Sequence, residues 1–168
     1  MVSTLLAYWI PNAGQLIFVL FGRSPANPPF HNFVSSLVEK ANVIAISVDY
    51  RLALENPLPI AFDDSWEAFQ WLISHVNGKG SDQWINEYAY FGRVFLGGES
   101  AGANIANDVA IGAGENKLQG AEIVVLFLIH PFFGGKEEDK LYKKEPSCER
   151  DTNRKLLRDY SHQVKVSF

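Results

Sequence analysis

The clearest chemical signal in the chain is a glycine-serine-glycine pattern near its middle. Gly98, Ser100 and Gly102 form G-x-S-x-G, which follows the apolar run 94–96 and precedes a stretch of small residues. A strand, a tight turn and a helix in this order hold a serine hydroxyl clear of a sheet, where it can act as a nucleophile. The pattern therefore predicts Ser100 as a nucleophile on a sharp turn, with glycines on either side that let the backbone pass close to it.

The residue after this serine supplies a second chemical group. Ala101 opens the predicted helix, on which Ile105 and Val109 lie one turn apart. The first N–H groups of a helix lack partners within the helix and favour negative charge. We therefore expect the Ala101 N–H to stabilise an oxyanion that forms beside Ser100.

Strands and helices alternate around this motif. Apolar runs of strand length occupy residues 3–9, 16–21, 43–48, 94–96 and 121–130, with helical stripes at 30–40 and 63–76 and a short helix or ordered loop at 81–91. Continuous apolar runs are typical of strands covered on both faces. A strand, a helix and a further strand predict a parallel pair joined by a crossover.

Composition excludes several classes of function. The 168 residues suit one domain with a core, and the net charge of −4 provides no positive surface for nucleic acid or an anionic membrane. The single cysteine, Cys148, fits a reducing compartment, and no Cys/His cluster has metal-ligand spacing. Residues 1–10 lack the basic start of a signal peptide, and no apolar run reaches transmembrane length. We therefore expect a cytoplasmic protein without a metal or cofactor.

Several segments together resemble the plant carboxylesterases of the α/β-hydrolase fold, which are related to hormone-sensitive lipase and the gibberellin receptors. The similar stretches, in order, are FHNF at 30–33, ANVIAISVDYRLA at 41–53, PLP at 57–59, DDSW at 63–66, GGESAGANIA at 97–106 and HPFF at 130–133. The resemblance implies a mostly parallel sheet with helices on both faces. It also implies hydrolysis of a small-molecule carboxylic ester through an acyl-serine at Ser100.

The family's other oxyanion donors lie in a His-Gly-Gly-Gly loop after an early strand, and this loop is not preserved here. If residues 5–9 form that strand, residues 10–14 take the loop's place and Gly14 is the remnant. If residues 16–21 form it, Gly22 is the remnant. The first placement matches the family's strand more closely, and both glycines stay candidates.

The rest of the family's catalytic machinery is expected on later strands, in the order serine, acid, histidine. The segments that would carry the acid and the base are missing from this sequence, so we expect an incomplete fold. The predicted organisation is a partial α/β-hydrolase domain at 1–135 and a divergent charged tail at 136–168.

The four histidines are poor substitutes for the missing base. His130 precedes any candidate acid, and His162 lies in the charged tail after Asp139, Asp151 and Asp159. His31 and His75 are expected at the surface or at helix ends. Asp63 and Asp64 are expected to begin a helix and make local contacts rather than do chemistry.

The sequence therefore predicts a carboxylesterase-type serine hydrolase whose activity is impaired. The alternative is a non-catalytic protein, either a truncated family member or a small-molecule-binding protein. A sheet that stops after residues 121–130 leaves an apolar edge strand, which predicts self-association.

Overall fold

The computed structural model describes residues 4–8, 14–20, 24 and 26–133. Its strands are β1 (Thr4–Tyr8), β2 (Gln15–Leu20), β3 (Val43–Asp49), β4 (Tyr90–Glu99) and β5 (Ile123–Ile129), and its helices are α1 (Pro28–Ala41), α2 (Ile60–Ile73), α3 (Gln83–Tyr88) and α4 (Ala101–Glu115). These strands and helices belong to one compact unit that ends at Pro131. The predicted tail at 136–168 lies outside the described residues.

All five strands form one sheet in the order β1-β3-β2-β4-β5. β2 pairs in parallel with both β3 and β4, and β4 pairs in parallel with β5. Only β1 runs against its neighbour, β3. The predicted α/β architecture with a mostly parallel sheet is confirmed.

Helices cover both faces of this sheet. Side chains along a strand point alternately to opposite faces, so one strand can contribute to the core on each face. On β2, Leu16, Phe18 and Leu20 enter the larger apolar core, which α2 and α4 complete. Ile17 and Val19 face the other way, into a smaller core with Val34 and Val38 of α1. The central strand is therefore buried on both faces, as its continuous apolar sequence predicts.

Two elements begin at least three residues before their predicted start. β4 begins at Tyr90 rather than at Val94, so it spans the polar residues Gly92 and Arg93 as well as the apolar run. α2 begins at Ile60, directly after Pro59, rather than at Asp63. Pairing with a neighbouring strand extends β4 beyond its apolar residues, which is information that the local pattern does not contain.

The end of β3 is tied to α2 by an ion pair between Arg51 and Asp64. The Asp64 carboxylate accepts hydrogen bonds from the Arg51 backbone N–H at 3.0 Å, from Nε at 2.9 Å and from a terminal guanidinium nitrogen at 2.6 Å. The Asp64 side chain is buried while that of Arg51 is half exposed. The hydrogen bond to Asp64 raises the pKa of the Arg51 guanidinium. Asp64 therefore makes a local structural contact, as expected, in the second turn of α2.

His75 lies at a helix end, one of the two positions expected for it, but it is not exposed. It follows α2 and is buried, with Nδ1 bonded to the Trp71 carbonyl oxygen at 2.9 Å. Its Nε2 accepts the Asp82 N–H at 3.1 Å, which requires a neutral ring. The imidazole thus joins the end of α2 to the chain before α3, because the following loop folds back over it.

β5 is the last strand of the sheet among the described residues. Val124 and Val125 on it are exposed although the strand is almost entirely apolar. None of the described helices is long and apolar enough to cross a membrane.

We expect Asp64→Asn to lower the free energy of unfolding by about 2 kcal/mol, because a buried carboxylate that accepts three hydrogen bonds loses its charge. Urea denaturation followed by circular dichroism measures this change. Asp63→Asn is the matched control, since Asp63 is the neighbouring residue on the same helix and is exposed. Equal unfolding midpoints for the two variants would show that the ion pair adds nothing to stability.

Candidate active site

Ser100 occupies the turn between β4 and α4 that the G-x-S-x-G pattern predicts. Its backbone has φ 55° and ψ −119°, a conformation that residues other than glycine rarely adopt. Such strain persists only where the surroundings enforce it, and it is concentrated at functional sites. The side chain of Ser100 is partly exposed, and it caps no backbone N–H of α4.

Gly98 allows this turn to be so tight. A Cβ atom placed on Gly98 would lie 2.4 Å from the Gly102 carbonyl oxygen and 2.6 Å from that of Leu20. Both obstacles are backbone atoms, one from α4 and one from β2, and neither can rotate away. Only glycine fits at the point where the two neighbouring elements meet β4.

Backbone hydrogen bonds fix Ser100 from both sides. Its N–H donates to the Ile129 carbonyl oxygen of β5 at 2.9 Å, and its own carbonyl oxygen accepts the Ala103 N–H at 3.2 Å. Ala101 is the first residue of α4, so its N–H has no partner in the preceding turn of the helix. This N–H follows directly after Ser100, as an oxyanion donor must.

The structure separates the two alternatives for the second oxyanion donor. Gly14 lies at the start of β2, where its carbonyl oxygen accepts the Tyr90 N–H at 2.6 Å. Ser100 lies beyond the other end, next to Leu20, so the length of β2 places about 20 Å between them. The assignment of Gly14 is therefore wrong. The assignment assumed that residues 5–9 lead into the loop. β1 instead runs antiparallel to β3, so its last residue lies at the end of the sheet opposite to Ser100.

The other placement puts the loop after β2. Leu20, at the end of β2, pairs with Gly98 of β4, so the chain leaves β2 beside the serine turn. Gly22 follows two residues later and lies outside the described residues. It remains a candidate for the second donor.

The described histidines lie in three different environments. His31 on α1 bonds through Nδ1 to the Tyr8 hydroxyl at 2.9 Å. Both ring nitrogens of His75 make the hydrogen bonds described above. His130 is exposed and directly follows Ile129, the residue that accepts the Ser100 N–H. None of the described residues forms a hydrogen-bonded base for the Ser100 hydroxyl. His162 lies outside the described part of the chain.

The sequence did not predict the buried environment of Tyr50, which lies at the same end of the sheet as Ser100. Tyr50 follows β3 and is buried, and this burial raises the pKa of its phenol, with a smaller contribution from the negative charge of Glu99. The phenol therefore stays protonated at physiological pH. Its alternation with Ile46 and Val48 was the available signal, because it places Tyr50 on the same face of the strand.

No group of three or more His, Cys, Asp or Glu side chains among the described residues is arranged to hold a metal ion.

The family model for the α/β-hydrolase fold matches residues 18–167. The chain belongs to this family. The matched range includes most of the segment that the sequence predicts as a divergent tail. The resemblance to the family is thereby confirmed.

The relatives that match the chain include probable carboxylesterases of Arabidopsis thaliana. Probable carboxylesterase 3 of Arabidopsis thaliana is 51% identical over 115 residues, which are 68% of this chain and 35% of the relative. Probable carboxylesterase 4, mitochondrial, of the same plant is 43% identical over 137 residues, 82% of this chain and 34% of the relative. The chain thus spans about a third of the length of these relatives.

Solved structures show the same fold. The esterase LipW from Mycobacterium marinum superimposes with a TM-score of 0.61 at 26% identity, covering 76% of this chain and 39% of LipW. The chain is thus similar to about two fifths of this esterase.

We expect Gly98→Ala to distort the serine turn and to destabilise the protein by more than about 2 kcal/mol, since the new methyl group meets backbone on two sides. Thermal unfolding measures the loss. Gly14→Ala serves as the control, because a Cβ there would come no closer than 3.7 Å to another atom. A Gly98→Ala variant as stable as Gly14→Ala would contradict the close approach described here.

Proposed function

We propose that this chain hydrolyses small carboxylic esters through an acyl-serine intermediate on Ser100. The observation that carries the proposal is the backbone of Ser100, held at φ 55° between a parallel strand and a helix. This conformation costs on the order of 1–3 kcal/mol, and the Ser100 hydroxyl makes no capping hydrogen bond to α4 that would explain it. The carboxylesterase names of the relatives supply the substrate class.

The proposed reaction has two halves. Ser100 Oγ bonds to the ester carbonyl carbon as its hydroxyl proton passes to water, and the resulting oxyanion accepts a hydrogen bond from the Ala101 N–H, with Gly22 as the candidate second donor. The bond to the alkoxide then breaks, and the alkoxide takes a proton from water and leaves as the alcohol. Water attacks the acyl-serine in the same way, releasing the carboxylic acid and the free hydroxyl.

We further propose that turnover is slow. A serine is a weak nucleophile unless an adjacent base takes its proton, and no described side chain is bonded to Ser100 in that role. In serine proteases, loss of triad members leaves about 10³- to 10⁴-fold catalysis over water from binding and the oxyanion hole. We expect this chain to lie in that range rather than at the level of a complete esterase.

The test is hydrolysis of p-nitrophenyl acetate by purified protein beside Ser100→Ala, together with covalent labelling by a fluorophosphonate. We expect slow turnover and labelling in the wild-type chain and neither in the variant, because both need the Ser100 hydroxyl. Equal rates in the two proteins, with no labelling in either, would favour the non-catalytic alternative.

We also propose that copies of the chain associate through β5. Within the described residues this strand is paired on one side only, and Val124 and Val125 on it are exposed. An apolar edge of this kind offers unpaired backbone groups to a second strand.

Light scattering over a range of concentrations tests this association. We expect the mean mass to rise with concentration, and Val125→Lys to reduce that rise, because a charge on an edge strand opposes pairing. Val34→Ala is a control that weakens the buried core instead. A monodisperse monomer throughout would contradict the association.

The cytoplasmic location stays a prediction. It rests on the sequence, and the name of one relative assigns that protein to mitochondria.

A further inference from the structure

We infer that the loop at residues 52–56 anchors the protein on aggregates of neutral, water-insoluble esters, with Leu54 inserted into the ester phase. The inference rests on the proposed function and deepens it, because it names the physical form of the ester that reaches Ser100. The observation that carries it is the exposure of Leu54, which is 99% accessible to solvent. The other large apolar residues that are exposed in the described part of the chain reach 58% at most.

The backbone of Leu54 is strained as well. Its φ is 91°, in the region that favours glycine, and a bulky side chain rarely occurs there. Such a conformation lowers stability and is concentrated at functional sites. Packing does not offset this loss, because a side chain so fully exposed buries almost no apolar surface. Single exposed leucines are common on protein surfaces, whereas a strained one at the middle of an ordered loop requires an explanation.

Hydrogen bonds hold this loop in one shape. The Leu52 carbonyl oxygen accepts the Asn56 N–H at 3.1 Å and the Asn56 Nδ2 at 3.4 Å. Arg51, directly before the loop, is fixed to Asp64 of α2 by the ion pair described above. Leu54 lies midway between the two bonded residues, at the tip of the loop. A tip that is already ordered loses little conformational freedom when it inserts into another phase.

The loop lies at the same end of the sheet as Ser100. Val48 of β3 and Gly98 of β4 both pair with Leu20 of β2, so the three strands end at one level. Only β2 separates β3 from β4, which places these two strands about 10 Å apart. In open α/β sheets, ligands bind at the carboxyl ends of the strands. A surface that delivers an ester to Ser100 therefore also meets the loop.

Apolar residues extend the contact on either side of Leu54. Leu52 is 38% exposed, and Ala53, Pro57 and Pro59 are exposed too. They surround a protruding leucine rather than line a groove. A fluid ester phase adapts its shape to such a side chain, whereas a protein partner would need a matching pocket. Binding of this kind is strengthened by each apolar side chain that leaves water.

The charges near the loop favour an uncharged surface. Glu55, Asp63 and Glu67 are exposed, and the positive charge of the neighbouring Arg51 is balanced by Asp64. Exposed carboxylates are repelled by anionic lipid headgroups and are indifferent to an uncharged oil. We therefore assign the loop to a neutral ester phase, such as triacylglycerol droplets.

The test is flotation of the full-length protein with triolein droplets in a density gradient. We expect the wild-type protein to float and Leu54→Asn to lose about 10-fold in its partition to the droplets, because one leucine side chain no longer leaves water. Asparagine is chosen because it tolerates a positive φ. Tyr90→Asn is the matched control and should float like the wild type, since Tyr90 is also exposed but begins β4 at the opposite end of the sheet from Ser100.

Stability provides a second readout, which separates anchoring from a structural role. Leu54→Asn should raise the unfolding midpoint in urea, because it relieves strain and removes no packing. A lower midpoint would show that Leu54 supports the fold, and it would overturn the inference. Equal flotation of Leu54→Asn and the wild type would do so too, since another apolar surface would then bind the droplets. Flotation that requires phosphatidylserine on the droplets would contradict the neutral surface.

The outcomes distinguish this inference from the proposed function. Flotation does not need the Ser100 hydroxyl, so Ser100→Ala should float like the wild type. A wild-type chain that floats but neither hydrolyses p-nitrophenyl acetate nor reacts with a fluorophosphonate would overturn the proposed reaction and support the anchoring. A chain that hydrolyses dissolved ester but does not float would overturn the anchoring alone.

Discussion

The site depends on the contact of three backbone segments at Gly98. The carbonyl groups of Leu20 and Gly102 approach this residue so closely that no side chain fits between them. Because β2, β4 and α4 converge here, the turn that follows has no freedom to relax, and Ser100 is held in a backbone conformation that a free chain would leave. The strain of the serine is thus balanced by the packing of the two cores on either side of β2.

The serine turn is held by elements of one compact unit. β2 and β4 meet at the turn, and β2 is buried on both faces by helices from the same unit. The hydrogen bond from Ser100 to Ile129 adds β5 to the enclosure. The geometry of the nucleophile candidate therefore comes from neighbouring backbone rather than from contacts of its own side chain.

Much of the fold could be predicted from the sequence, because apolar runs and helical stripes reflect burial directly. The serine turn was predictable from the five residues of G-x-S-x-G, because its glycines allow backbone segments to approach each other closely. The direction of β1 was not predictable, because strand partners are chosen through contacts between distant segments. Without that direction, the sequence allows residues 5–9 as the strand before the loop, and Gly14 is then assigned to the loop. The antiparallel pairing of β1 shows that its last residue lies at the end of the sheet opposite to Ser100.

The environments of individual polar residues were also beyond local patterns. Nothing in the neighbouring sequence shows that His75 is enclosed by the loop after it, or that Asp64 rather than Asp63 binds Arg51. Such contacts depend on the angle at which a loop returns to a helix.

The strand order has a consequence for how the chain acquires its shape. Leu20 pairs with Gly98, so the central pair of the sheet joins residues that are far apart in the chain, whereas β2 and β3 are separated by a single helix. Contacts between distant segments form slowly, because a long loop must close first. During synthesis β2 can pair with β3 early, but one edge of β2 stays open until β4 has left the ribosome. The serine turn therefore forms after the β2–β3 pair, and the open edge of β2 is prone to aggregation until β4 pairs with it.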